Sequence, residues 1–143
     1  MTYLDTLALL RTSVAEFNRW RAQAGTQGDV ITLQSAVLTG ADLTGANLSR
    51  IDLRGAKLQR CRLQGSDLSY SDLSEANLME ADLTGANLTG TNLADSNLSG
   101  ARLVDVDLTN AKIERSDLRK TTMSPSVFTQ CVALLKEAIN LTD

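Results

Sequence analysis

The chain has 143 residues, a net charge of −3 and no histidine. Without histidine the commonest general base and metal ligand is missing, and no Ser-His-Asp or Cys-His set can be assembled. We therefore expect no catalytic residue, no metal site and no cofactor. No apolar run reaches the roughly 18 residues that a transmembrane helix needs, and net acidity disfavours direct nucleic-acid binding, so we expect neither a membrane nor DNA as a partner.

Residues 1–28 are predicted to form an N-terminal helical cap and a linker. Their apolar residues fall three or four positions apart, which is typical of one face of an amphipathic helix: Leu4, Leu7, Leu10, Val14 and Phe17. Ser13 and Glu16 are spaced as in a capping box, so the helix is either continuous or broken near Thr12. Gly25 is the expected stop, and Trp20 is expected to pack on the structure that follows.

The same segment bears on localisation. It has no basic start, and its longest apolar run, residues 7–10, is shorter than a signal peptide requires. We therefore expect a cytoplasmic protein.

An apolar residue recurs at every fifth position from Leu33 to Met123, nineteen times without a gap. A period of five would spiral around an α-helix and would alternate between the two faces of a strand. Both problems disappear if the chain turns a corner in each repeat, because every fifth side chain then points to one axis. Residues 29–124 are therefore predicted to form an all-β solenoid. Its predicted structural core comprises Leu43, Leu48, Leu53, Leu58, Leu63, Leu68, Leu73, Leu78, Leu83, Leu88, Leu93 and Leu98.

The other repeat positions agree with this prediction. Two before each central Leu stands a small residue or, as at Ile51, Cys61 and Val106, another compact one; Asp or Asn mostly stands directly before it, and Ser or Thr often follows. Asp and Asn side chains bond to nearby backbone in turns, and Gly eases sharp turns. We therefore expect large and small residues to alternate inward, with the polar residues at the corners.

The stretch from Ala41 to Leu48 recurs nearly unchanged from Ala81 to Leu88. It resembles the pentapeptide-repeat family, whose motif is a small residue, Asp or Asn, Leu, Ser or Thr, and a variable residue. The resemblance implies a right-handed quadrilateral β-helix with four pentapeptides per coil, hence about five coils here. Residues 17–21 are similar to the helical lead-in found before many such arrays, especially cyanobacterial ones. With the C-terminal helix predicted below, we expect N- and C-terminal α-helices to flank the solenoid.

A C-terminal capping helix is predicted over residues 125–143. Ser124 is a favourable N-cap and Pro125 fits the first turn. Apolar residues cover about half of the helix circumference, and Gln130 is predicted to lie with the polar residues on the other side. Part of the apolar arc should cover the open end of the solenoid. The remainder is a possible interaction surface, and a dimer through this helix is an alternative to a monomer. The candidate residues are Phe128, Val132, Leu135 and Ile139.

The two cysteines are expected to be inert. Cys61 takes a small, inward repeat position and Cys131 lies in the C-terminal helix, and buried free cysteines commonly behave as small apolar residues. Two separated cysteines without histidine do not make a zinc site.

Function is predicted only as a class. A rigid, uninterrupted solenoid is typical of a non-catalytic structural or protein-interaction module, and its protein partner is unknown. The alternative, implied by the resemblance to a family that includes quinolone-resistance proteins and related gyrase inhibitors, is a DNA-mimicking inhibitor or protector of a topoisomerase such as gyrase. Residues 31–124 hold twelve acidic and ten basic side chains, which is few net charges for a DNA mimic. Surface departures from polar character are isolated at Met79, Val104 and Tyr70.

The sequence also predicts one column of alternating charge. With four repeats per coil, residues 20 apart stack on each other, which places Asp42, Arg62, Asp82 and Arg102 in line. Such a column neutralises itself.

Overall fold

The computed structural model describes residues 1–23 and 30–140, without the side chain of Asn140. In chain order its elements are α1 Tyr3–Thr12, α2 Val14–Gln23, β1 Ile31–Thr32, β2 Ile51–Asp52, β3 Arg102–Leu103, β4 Thr122–Met123 and α3 Pro125–Asn140. β1 pairs with β2 and β3 pairs with β4, both in parallel.

The coils stack with a period of 20 residues. Ile31 pairs with Ile51, and single parallel bridges continue the same spacing, for example from Asp42 to Arg62. Four pentapeptides therefore complete one coil, in agreement with the resemblance. The named strands are only two residues long because each pentapeptide also turns a corner, which leaves little extended backbone.

The interior of each coil is closed by leucines and small residues. All twelve leucines that the sequence places in the core are at most 1% exposed. Small residues between them are also buried, as at Ala81 and Ser96. Leu118 and Met123, near the end of the ladder, are only partly buried. Burial on this scale, at roughly 1.5–3 kcal/mol for each leucine, is the main favourable term of the fold.

Most corners are closed by the Asp or Asn that precedes the central apolar residue. Before Leu83, the Asp82 Oδ1 accepts hydrogen bonds from the Thr84 N–H at 3.0 Å and the Thr84 hydroxyl at 2.6 Å. The residue after Thr84 is Gly85, whose φ of 69° is left-handed. Non-glycine residues take the same conformation elsewhere, as at Glu80 with φ 58°, so the fold and not glycine alone imposes the corner.

The N-terminal helix is broken, which decides the question left open near Thr12. α1 ends at Thr12, Ser13 is extended with φ −157°, and α2 starts at Val14. The Ser13 hydroxyl accepts a hydrogen bond from the Glu16 N–H at 3.2 Å. The expected stop at Gly25 lies outside the described residues.

Side chains of α1 and α2 close the lower edge of the first coil. The Asn18 side chain accepts from the Asn47 N–H at 2.8 Å and donates to the Gly45 carbonyl at 2.9 Å. Arg21 donates to the Ser49 carbonyl at 2.6 Å. These groups occupy positions where a preceding coil would otherwise bond, so the strand edge is not left open.

The upper edge is closed by α3, and here the prediction for Gln130 was wrong. Gln130 does not lie with the outward polar residues, because its side chain bonds to the backbone of Leu108 and Val106 in the last coil. Satisfying buried backbone groups outweighs the exposure that the side chain would otherwise prefer.

The predicted division of the chain into three parts stays a prediction. Its boundary between residues 28 and 29 lies outside the described residues, whereas α3 begins at Pro125. Among the residues that the structure describes, none of the helices is long and apolar enough to cross a membrane.

Candidate interaction surfaces

α3 carries two apolar stripes. Val127 and Cys131 face the solenoid and are at most 4% exposed. Phe128, Leu135 and Ile139 face outward with exposures of 62%, 38% and 63%. The helix therefore covers the solenoid with one stripe and presents the other to the surroundings.

The four candidate residues from the sequence lie together on the outer stripe. Val132 is half-buried between Phe128 and Leu135, and Ile139 follows one turn later. Their spacing of four, three and four residues is that of a helix–helix seam. Between residues 125 and 139 only Lys136 and Glu137 carry charge. Few charged side chains would therefore repel a second helix packed on the stripe.

The walls of the solenoid present paired charges. Across adjacent coils, Arg60 lies 2.7 Å from Glu80 and Arg115 lies 2.7 Å from Asp95. The predicted column of alternating charge is also present: Asp42 lies 3.7 Å from Arg62, and Asp82 lies 3.8 Å from Arg102. These exposed pairs contribute about 0–1 kcal/mol each, so their effect is chiefly to cancel the surface charge.

Hydrogen bonds shift the pKa of several surface carboxylates. The side-chain hydrogen bond from Arg115 lowers the pKa of Asp95. Hydrogen bonds from the side chain and backbone of Arg119 lower the pKa of Asp117 to about 2. Both groups are structural members of the wall, Asp95 exposed and Asp117 half-buried, and each is bonded to a neighbouring arginine, so their lowered pKa values do not indicate acid–base chemistry.

The three apolar or aromatic residues that the sequence places on the solenoid surface differ in their exposure. Met79 and Val104 are half-buried, whereas Tyr70 is 55% exposed. The Arg50 guanidinium lies 4.9 Å from the centre of the Tyr70 ring. Sequence reasoning singled out Tyr70 but missed Arg50, which the 20-residue period places directly beside it in the coil below.

A cleft of about 210 Å³ lies between α1, α2 and the first coil. Met1, Tyr3, Trp20 and Val30 belong to its lining. Trp20 is half-buried, packs against the core as expected, and its ring centre lies 5.8 Å from that of Phe17. Its position identifies it as part of the N-terminal packing.

The two thiols are buried. Burial raises the pKa of Cys61 to about 11, and burial also raises the pKa of Cys131. The Cys61 Sγ–H donates to the Leu38 carbonyl at 2.8 Å. A thiol that stays protonated and enclosed is a poor nucleophile. Within residues 1–23 and 30–140 no group of His, Cys, Asp and Glu is placed to hold a metal ion.

Comparison with known proteins gives consistent results. The family model described as "Pentapeptide repeats" matches with 8 copies over residues 32–69, 46–85, 56–94 and 86–124. Rfr23, a pentapeptide repeat protein of the cyanobacterium Cyanothece 51142, is 34% identical; the match covers 69% of this chain and 68% of that one, with a TM-score of 0.67. A pentapeptide repeat protein of the Arabidopsis thaliana thylakoid lumen is 27% identical over 73% and 72% of the two chains, with a TM-score of 0.70.

More distant matches add nothing on function. Trypsin-treated QnrB1, a plasmid-mediated fluoroquinolone resistance protein, is 18% identical over 81% of this chain and 73% of that one, with a TM-score of 0.27. This likeness is too low to bear on function. No curated protein matches the chain.

Proposed function

Since this chain belongs to the pentapeptide repeat family, we propose that it is a non-catalytic structural and protein-interaction module. The solenoid acts as a rigid support, and the outer stripe of α3 binds a protein. The observation that carries the proposal is the exposure of Phe128, Leu135 and Ile139 on one side of a helix whose other side is packed. Contiguous apolar surface of this kind is typical of interaction sites.

A second copy of the chain is the occupant that we propose for this stripe. The spacing from Phe128 to Ile139 is symmetrical about its midpoint, so an antiparallel copy sets Val132 opposite Leu135 and Phe128 opposite Ile139. The exposed area of four side chains is on the order of a few hundred Å² per protomer, below that of a standard stable interface. The proposed dimer is therefore weak and depends on concentration.

Sedimentation of the full chain at increasing protein concentration tests this proposal. The mass should rise above the monomer value of 15.4 kDa as concentration increases. Leu135→Lys should keep the protein monomeric, because it places a charge in the seam, whereas Met79→Lys on the solenoid wall should behave as the unaltered chain. A protein that stays monomeric up to millimolar concentration would exclude a second copy as the occupant.

Charge pairing disfavours the alternative of a DNA mimic that inhibits a topoisomerase. Residues 63–101 hold six acidic and no basic side chains, which by itself resembles an acidic belt. However, arginines of the adjacent coils pair with three of these six carboxylates: Arg60 with Glu80, Arg102 with Asp82 and Arg115 with Asp95. B-DNA presents one charge for about every 1.7 Å of its axis without such pairing. The interaction module is therefore the better-supported function.

Two further features belong to the proposal. We take the coil to be a right-handed quadrilateral β-helix capped by helices at both ends, as the resemblance implies. We also propose a cytoplasmic location, although a relative of similar fold comes from a thylakoid lumen.

A further inference from the structure

One corner of the solenoid carries a column of three protruding side chains that ends at a glycine. Val30, Arg50, Tyr70 and Gly90 are spaced by the 20-residue period of the coils, which brings them into line. Val30 is 74% and Tyr70 55% exposed, and Arg50 is also exposed. We call these four residues the Tyr70 column. It lies apart from the outer stripe of α3.

The Tyr70 ring is held in place although it is exposed. A Cβ atom added at Gly90 would lie 2.5 Å from Tyr70 Cδ1 and 2.6 Å from Cε1, so the ring rests on the bare backbone of the coil above. From the coil below, the Arg50 guanidinium lies 4.9 Å from the ring centre, within the range of a cation–π contact. Because both neighbours already restrict the ring, binding a partner costs less conformational entropy.

Arg50 differs from the other arginines of the solenoid. Each of those has a carboxylate oxygen within 4 Å: Arg54, Arg60, Arg62, Arg102, Arg115 and Arg119. Within the described part of the chain, no such carboxylate lies beside Arg50. Its hydrogen-bond donors are therefore available next to an ordered aromatic ring.

The surroundings of the column form a shallow recess of about 340 Å³. Two carboxylates line it, and both are already engaged. Asp52 accepts two hydrogen bonds from the Arg54 side chain, at 2.9 and 2.7 Å, and Asp72 accepts from the Ser74 N–H and hydroxyl. Arg50 is therefore the cation of the recess that can accept a new anionic partner.

We infer that the Tyr70 column binds a segment of a partner protein that presents a carboxylate beside an aromatic or aliphatic side chain. The carboxylate takes the paired N–H donors of Arg50, and the apolar side chain rests on Tyr70 and Val30. Arg and Tyr are enriched among the residues that dominate protein interfaces. The inference goes beyond dimerisation through α3 and does not depend on it.

The test is an NMR titration of the ¹⁵N-labelled full chain with two blocked dipeptides, Ac-Glu-Phe-amide and Ac-Gln-Phe-amide. The acidic dipeptide should produce saturable shifts at the Arg50 Nε–H and at the backbone amide of Tyr70. The neutral dipeptide should bind at least several-fold more weakly, because it lacks the side-chain carboxylate that pairs with Arg50. Equal binding of the two probes would overturn the inference.

Matched variants separate this site from general surface charge. Arg50→Gln should abolish the preference for the acidic dipeptide. Arg62→Gln, which removes an exposed arginine paired with Asp42, should retain it. Loss of the preference in both variants, or in neither, would contradict the assignment. Benzoate serves as a third probe: if it binds as tightly as the acidic dipeptide, the recess recognises small carboxylates and not a protein segment.

Discussion

The side-chain oxygen of Gln130 accepts a hydrogen bond from the backbone N–H of Leu108 at 2.8 Å. Inside the solenoid the equivalent donor bonds to the next coil, as Leu88 N–H does to the Asp107 carbonyl at 2.9 Å. For Leu108 the equivalent acceptor would be the backbone carbonyl of Val127, but Val127 is already part of α3. The Gln130 amide also donates to the Val106 carbonyl at 3.4 Å. One side chain thus replaces a backbone amide of the missing coil and closes the edge.

Gln130→Leu should therefore destabilise the protein although it adds apolar surface. Leu108 is 2% exposed, so its N–H would be left buried without a partner, at a cost of about 1–3 kcal/mol. Urea unfolding followed by circular dichroism measures the loss. Lys136→Leu on the exposed side of α3 is the control and should change stability by less than about 0.5 kcal/mol. Equal losses in both variants would mean that the bond has no stabilising role.

Gly90→Ala should destabilise the protein more than Gly65→Ala. Both positions have positive φ, 65° and 63°, and share the backbone cost of an alanine there, about 1 kcal/mol. Only at Gly90 does the new methyl meet an atom, Tyr70 Cδ1 at 2.5 Å, because Gly65 faces open space. The exposed ring must move aside and lose its contact with the Arg50 guanidinium, which should add about 0.5–1.5 kcal/mol.

A second variant removes that clash. In the background Tyr70→Ala, the change Gly90→Ala should cost no more than Gly65→Ala does in the unaltered chain. An undiminished cost, measured by the same urea titration, would show that the Tyr70 ring does not occupy the space over Gly90.

Leu78→Ala should lower the free energy of unfolding by about 2–5 kcal/mol, through lost burial and a cavity in the middle of the ladder. Leu78 is 0% exposed. Leu118→Ala, at the partly exposed end of the same ladder, should cost less. A loss below about 0.5 kcal/mol at Leu78 in urea would contradict an inward-pointing side chain.

Stability should decrease in acid as the carboxylates at the corners are protonated. Because the folded-state pKa of Asp117 is lowered to about 2 from 3.8, its contribution is present above pH 3.8 and is lost as pH falls towards 2. Side-chain ¹³C titration should find the Asp117 carboxyl ionised at pH 3. In Arg119→Gln the pKa should rise towards 3.8, because the side-chain hydrogen bond is its main cause. An unchanged pKa in that variant would assign the shift to the backbone N–H instead.

Gyrase supercoiling should be unaffected by micromolar protein. Arginines of adjacent coils pair with three of the six carboxylates in the acidic belt of residues 63–101, so the belt lacks the continuous charge of DNA. The triple variant Arg60→Gln, Arg102→Gln and Arg115→Gln removes the three arginines that pair with the belt. Comparing it with the unaltered chain in the same assay tests whether this pairing is what prevents inhibition. Clear inhibition by the unaltered chain would make the DNA-mimic function the preferred one.

Much of the fold followed from the apolar period alone. The ladder from Leu33 to Met123 predicted a solenoid, and the 20-residue coil, which the family resemblance implied, then predicted the column of Asp42 and Arg62. The same 20-residue spacing also predicts that Arg50, Tyr70 and Gly90 align. It does not predict that the Tyr70 ring packs between the other two residues. Whether an exposed ring leans up, down or outward depends on the side chains above and below it, and spacing carries no such direction.

The orientation of α3 was the least predictable feature. Apolar residues cover about half of its circumference, so hydrophobic periodicity offered two nearly equal arcs for burial. The structure buries Val127 and Cys131 and leaves Phe128 outside, because this rotation also brings Gln130 to the open edge of the last coil. A helical wheel contains no information about the backbone N–H groups of the coil against which α3 packs.

The sequence by itself determined the stacked coils, because a side chain repeated every five residues can be buried only if the backbone turns at regular corners. Only the tertiary structure decided how the ends are closed and which surfaces remain open. Those features depend on hydrogen-bonding groups of one element that must be satisfied by side chains of another, far away along the chain.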